Sequence, residues 1–136
     1  MKDYKSKYVE RSLDEEKQIL TSTWLETTKD MNNEEFKEEM QKLVEIIKEK
    51  NIKFILSITK DLNFPITPEL QNWVLEVIAP QFTEAKIEKQ AMIIPKELIA
   101  QLSIEQTIDD VESSKHSHQS KLFSDIEEAK KWFFND

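Results

Sequence analysis

The stretch Ile52-Lys53-Phe54-Ile55-Leu56-Ser57-Ile58-Thr59 is apolar at consecutive positions instead of alternating with polar ones. A strand with one wet face alternates, whereas a strand covered by helices on both faces does not. This run therefore predicts a central strand in a helix-covered sheet. The segment before it has a different period: Phe36, Met40, Leu43, Val44 and Ile47 stand at spacings of four, three, one and three. That pattern predicts a helix over about 32–50 with one buried face. Asn32 and Glu35 form a capping-box pattern at its start, and Asn51 stands where a glycine usually takes the left-handed conformation.

Beyond the central run, a loop from Lys60 to Ile66 leads to Thr67-Pro68, an N-cap followed by proline at the first helical position. Leu70, Trp73, Val74, Val77 and Ile78 make the buried stripe of this second helix. Pro80 is expected to end or kink it, leaving Gln81 to Lys86 as a separate turn or a bent extension. Gln90 to Ile94 is a second short apolar run, closed by Pro95, and reads as another buried strand. Residues 96–115 are expected to be helical with a break near Ser103, because Ser103-Ile104-Glu105-Gln106 fits a capping box; Ile104, Ile108 and Val111 then face inward. Glu112 to Ser120 reads as an exposed connection carrying both histidines. Lys121-Leu122-Phe123 reads as a last strand, and Ser124 or Asp125 as the cap of a terminal helix with Ile126, Ala129, Trp132 and Phe133 inward.

Toward the N-terminus, residues 4–13 and 17–25 read as two strands joined across Asp14-Glu15-Glu16. No Asn-Gly or Asp-Gly is present, so the connection should be longer than a two-residue turn. The resulting order is ββαβαβαβα. The predicted fold is α/β: one domain over residues 1–136, a mixed sheet entered by an N-terminal β-hairpin, four main helices, and later strands parallel through right-handed crossovers.

The 136 residues contain no glycine and no cysteine, and only two histidines. Phosphate-binding loops, dinucleotide fingerprints and nucleophile elbows need glycine for positive φ or for close backbone approach, so this chain builds none of them. The formal charge of −8, from 27 acidic and 19 basic residues, opposes nucleic-acid binding, which needs a basic stripe. No apolar run reaches the roughly 20 residues that span a bilayer, and the lack of cysteine suits a reducing compartment. A cytoplasmic protein with no membrane-spanning segment and no cofactor is expected.

The hairpin entering the sheet, the apolar strand Phe54 to Thr59, the helix start Thr67-Pro68-Glu69-Leu70-Gln71-Asn72-Trp73, the Leu98 to Gln106 region and the closing Phe123 to Trp132 segment with Glu128-Ala129 together carry a family likeness. Over nearly its full length the chain resembles the STAS superfamily, the fold of bacterial anti-sigma-factor antagonists, and among them the small STAS-like proteins. The resemblance implies a regulatory protein-binding module and not an enzyme. The phosphorylated Asp-Ser-Ser/Thr-Gly motif of the antagonist branch is absent. Thr67 alone occupies a comparable helix-start position, after Asn63-Phe64-Pro65-Ile66.

The candidate binding residues follow from this layout. In open α/β sheets, ligands collect beyond the carboxyl ends of the strands, which singles out Asp61 and Asn63 after the central strand, with Phe64, Thr67, Gln71 and Trp73 beside them. Asp and Asn also form turns, and Thr67 also caps a helix. Two partner classes are expected: a protein recognised through the Lys60 to Ile66 loop and the next helix, or, as the alternative, a small apolar ligand or lipid in a pocket under the 67–85 helix, as in the related CRAL-TRIO lipid-binding domains. Exposed Phe64 and Ile66 would favour the first, and an enclosed cavity near Trp73 and Phe82 the second. His116-Ser117-His118 has a metal-compatible spacing but no visible supporting residues, and reads as a surface pair. The oligomeric state is expected to be monomer or homodimer.

Overall fold

In a computed structural model, which describes residues 4–94, 101–107 and 119–135, six strands form one mixed sheet in sequential order. The first strand expected over residues 4–13 is split in two. β1 (Tyr4–Lys5) folds back antiparallel on β2 (Val9–Asp14), with Tyr4 opposite Arg11. Ser6 is the cause: its Oγ accepts hydrogen bonds from the N–H groups of Tyr8 and Val9, and its own N–H donates to the Val9 carbonyl at 2.9 Å. A serine side chain here substitutes for backbone partners and closes the turn. β2 then pairs antiparallel with β3 (Ile19–Trp24) through the expected longer loop.

α1 (Asn33–Glu49) begins with the full capping box, Asn32 Oδ1 accepting from Glu35 N–H at 2.8 Å and Glu35 Oε1 accepting from Asn32 N–H at 3.0 Å. Its end differs from expectation. Lys50 is extended, and Asn51 is not among the residues with positive φ. The chain must enter β4 (Phe54–Ile58) at once, and the Lys53 and Phe54 N–H groups are already bound to the Gln18 carbonyl. The left-handed positions fall instead at Gln18 and Lys86.

α2 (Pro68–Trp73) starts at the expected cap, Leu70 N–H donating to Thr67 Oγ1. Pro80 does not stop it. A π-helical turn (Val74–Ile78) leads directly into α3 (Ala79–Glu84), with the Ala79 N–H bound to the Val74 carbonyl. The wider turn makes room for the proline ring, and the Gln81 side-chain amide donates to the Val77 carbonyl at 2.7 Å, supplying a donor within the disturbed ladder. α3 ends with Ile87 N–H bound to the Phe82 carbonyl and Lys86 at φ 63°, a Schellman-type close made without glycine.

β5 (Lys89–Ile93) follows, then a helix over residues 101–107 (α4), β6 (Gln119–Phe123) and α5 (Ile126–Phe133), capped by Asp125. The expected break near Ser103 does not occur; residues 101–107 are continuously helical, and the Thr107 hydroxyl donates to the Ser103 carbonyl. Ile104 is buried as expected, while Ile108, Val111 and both histidines lie outside the described residues.

β3, β4, β5 and β6 are parallel neighbours. With right-handed crossovers, strands added always in the same direction place every crossover helix on one face. Phe36, Leu43 and Val44 of α1, Leu70, Val74, Ile78 and Phe82 of the second helical segment and Ile104 of α4 indeed share one core with Val9, Leu20 and Ile55. The opposite face is covered by α5, whose Ala129 and Phe133 meet Ile19, Phe54, Leu56, Ala91 and Ile93; Phe54 and Phe133 stack with centroids 4.9 Å apart. β4 is thus buried from both sides, as its unbroken apolar sequence required.

Lys86 holds a left-handed backbone that costs a residue with a Cβ roughly 1–2 kcal/mol. Lys86→Gly is expected to raise stability by about 1 kcal/mol in urea unfolding, after the entropy that glycine adds to the unfolded chain; an unchanged or lower midpoint would contradict that strain.

Candidate functional site

A cavity of about 80 Å³ lies between the sheet and the crossover helices. Its floor comes from the strands: Ser22 and Trp24 of β3, Ser57 of β4 with Thr59 just beyond, Gln90 and Met92 of β5, and Ser120 of β6. Its walls and roof are almost wholly apolar: Phe36, Met40 and Leu43 of α1, Leu62 and Ile66 of the following loop, Val74, Ile78, Ala79 and Phe82 around the π turn, and Ile104 of α4. The π turn therefore shapes the roof. π turns inside α-helices recur at functional sites because they re-aim side chains.

The polar floor is unusual for a core. Part of it is satisfied internally: Thr59 Oγ1 donates to the Ile93 carbonyl, Thr107 Oγ1, also at the rim, to Ser103, and Ser120 Oγ to Gln90 Oε1 at 3.4 Å. Ser57, only 6% exposed, makes no side-chain hydrogen bond among the described residues. Arg11 Nη1, not Ser57 Oγ, is the fully enclosed unpartnered side-chain atom among the described residues; the Ser57 hydroxyl lines the cavity, where a molecule has room to supply its partner.

Beside the floor runs a buried ionic network that joins β1 and β2 to α1. Arg11, 2% exposed, donates from Nε to Ser22 Oγ at 3.0 Å and from Nη2 to the Glu39 carbonyl at 3.0 Å. Its Nη1 makes no hydrogen bond and is held by Glu39 Oε1 at 3.7 Å. The guanidinium also lies over the rings of Tyr4 and Trp24. Glu39 accepts from the Tyr4 hydroxyl at 3.1 Å and the Ser6 hydroxyl at 2.6 Å, and Glu35 accepts from the Tyr8 hydroxyl at 2.8 Å. Burial pulls Arg11 down to about 10, against the opposing pull of Glu39, which leaves it charged at neutral pH.

None of the six residues singled out from sequence, Asp61, Asn63, Phe64, Thr67, Gln71 and Trp73, lines the cavity. Asp61 and Asn63 are exposed, with the Asn63 N–H pinned to Thr28 Oγ1 at 2.9 Å. Phe64 is buried and stacks on Phe36 at 5.4 Å, and Ile66 is buried with it. Thr67 is the helix cap, and the Gln71 amide donates to the Ile66 carbonyl at 2.8 Å. Trp73 is half-buried, edge-on to Phe36 at 6.3 Å and beneath Lys37. The loop's accessible residues are thus Lys60, Asp61, Asn63 and Pro65, while its apolar ones are committed to the core. The missed residues, Ser22, Ser57, Gln90 and Ser120, carried a signal: each interrupts a strand at a position that faces the crossover helices.

Among the described residues no group of three His, Cys, Asp or Glu could hold a metal, and no helix is long and apolar enough to cross a membrane. Comparison with family models, with curated proteins and with solved structures finds no match to this chain.

The tyrosines report on the network. Tyr8 is pushed up to about 12, first by its hydrogen bond to the Glu35 carboxylate and then by burial, and Tyr4 is raised by burial and then by the charge of Glu39. Glu35 is held low, first by the Asn32 N–H and then by Tyr8. Raised phenols contribute stability that is fully present below their unfolded value of 10.0 and lost as the pH climbs through the folded values; Glu35 contributes stability present above its unfolded value and lost as the pH falls through its lowered one. In a phenolate absorbance titration of the folded protein, both tyrosines are expected to ionise above pH 10, with Glu35→Gln returning one of them toward that value. Ionisation of both at the unfolded value would show that these hydrogen bonds do not form.

Proposed function

We propose that the protein is a non-enzymatic binder of a small, largely apolar molecule, held between the sheet and the helices that roof it. The observation that carries this reading is the 80 Å³ cavity with an apolar roof and an unpartnered hydroxyl, Ser57, on its floor. A cavity of roughly 150 Å³ is enough to take up benzene, and one above about 10–15 Å³ admits a water, so the space suits a short chain of atoms more than a bulky ring system. Two further observations support the choice. Phe64 and Ile66, which a protein-docking loop would expose, are buried, and Phe82, though not Trp73, lines the cavity.

The STAS-like relationship is part of the same proposal. It is supported by the hairpin that enters the sheet and by the helix that starts at Thr67-Pro68. Within that reading the protein is regulatory, with the bound molecule as its input, and the absence of cysteine supports residence in a reducing cytoplasm.

Native mass spectrometry of untagged protein, purified gently from its own host, is expected to show an added small mass that disappears on denaturation. Ala79→Leu places a larger side chain in the roof at an overpacking cost of about 1–3 kcal/mol and is expected to remove that mass while the protein stays folded by circular dichroism. A bare wild-type protein that also takes up no small apolar compound would overturn the proposal.

A further inference from the structure

The floor of the cavity carries the information needed to name the chemistry of its occupant. Ser22, Ser57 and Gln90 are each at least nine-tenths buried and stand on the neighbouring strands β3, β4 and β5. Ser22 pairs directly with Ser57, and Gln90 sits on the next strand beside Ile55, two residues back along β4 from Ser57. Adjacent strands run about 4.8 Å apart, so the three polar ends bound the same small space.

Their hydrogen bonding is incomplete. Ser22 Oγ accepts from Arg11 Nε, which leaves its own proton to be donated elsewhere. Gln90 Oε1 accepts from Ser120, which leaves its amide N–H groups, and Ser57 is free in both senses among the described residues. The Ser22 and Gln90 oxygens thus each already hold one partner while their protons hold none, and an unmet proton costs more than an unfilled second lone pair, so the site asks for an acceptor. A guanidinium hydrogen-bonded to the Ser22 oxygen polarises that hydroxyl further in the same direction.

Charge is the second constraint. Arg11 is already paired with Glu39, and no ionisable side chain lines the cavity among the described residues. A buried carboxylate would have no uncompensated cation to meet, and its desolvation would go unrepaid. We infer that the cavity takes a short-chain neutral carbonyl compound, its oxygen held by Ser22, Ser57 and Gln90 and its hydrocarbon chain under Val74 and Ile78. This rests on the ligand-binding reading above and adds the chemistry of the polar end.

The test compares acetone, propane and sodium acetate, small enough for a space of about 80 Å³, as ligands of the purified full chain, with dissociation constants read by ligand-observed NMR. The ketone is expected to bind about tenfold or more tightly than propane, the equivalent of one net hydrogen bond, and acetate more weakly than the ketone. Ser57→Ala and Gln90→Met are each expected to reduce the ketone's advantage several-fold while leaving propane binding in place; the wild-type comparison stands by itself should either variant fail to fold. Equal binding of ketone and propane, or tightest binding of acetate, would overturn the carbonyl inference and leave the ligand-binding reading intact. Uptake of none of the three would overturn the inference, and together with a bare protein in native mass spectrometry it would overturn both.

Discussion

The handedness of the crossovers governs this molecule. Each parallel strand from β3 to β6 is laid down beside its predecessor in one unchanging direction, and a right-handed connection then leaves no choice about which side its helix occupies. The crossover helices accordingly crowd one face of the sheet, and the other would be bare. α5 resolves this because it follows the last strand and is not a crossover. It is free to fold under the sheet, where Ala129 and Phe133 cover the alternate side chains of β3, β4 and β5. The asymmetry also locates the cavity, which lies on the side of the crossover helices.

A chain without glycine has to turn by other means, and it does so with side chains. Ser6 closes the β1–β2 turn, Asp14 Oδ1 accepts from Lys17 N–H in the next one, and Gln18 and Lys86 carry the left-handed backbone that glycine would otherwise carry. Gln18 gains a compensating hydrogen bond from its amide to the Asn51 carbonyl. Lys86 positions buried Ile87 against the end of α3. The same economy appears at Pro80, where the helix widens into a π turn and a glutamine amide donates to a nearby carbonyl. There the solution has a consequence beyond the helix, since Val74, Ile78 and Ala79 are the roof of the cavity.

The buried Arg11–Glu39 pair ties the strand edge to α1 and, through Ser22, reaches the cavity floor. Removing two charges from water is costly, and the pair is sustained by hydrogen bonds from Tyr4 and Ser6 and by the Tyr4 and Trp24 ring faces. Such a network fixes where the hairpin sits on the helix more than it adds stability. It also leaves Ser22 with a proton and no partner for it, which links the scaffold to the candidate site.

By itself the sequence determined the elements whose signals are local. The unbroken apolar run of β4, the periodicity of α1, the Asn32–Glu35 box, the Thr67-Pro68 start and a last-helix cap at Ser124 or Asp125 were all legible, because each depends on residues within one or two turns. The tertiary structure decided what depends on residues distant in the chain. Arg11 reads only as one residue of the first expected strand, and only the packing of β2 against α1 buries it beside Glu39. Pro80 reads as a stop or a kink, and only the fixed positions of Leu70 and Phe82 in one core hold the helix together across it. Phe64 and Ile66 read as a loop that could be exposed, and the aromatic face of Phe36 drew Phe64 inward. Ser22, Ser57 and Gln90 look like minor interruptions in three separate strands. They become one polar floor only when the register of the sheet sets them side by side, and register is a property of strand pairing that no single strand contains.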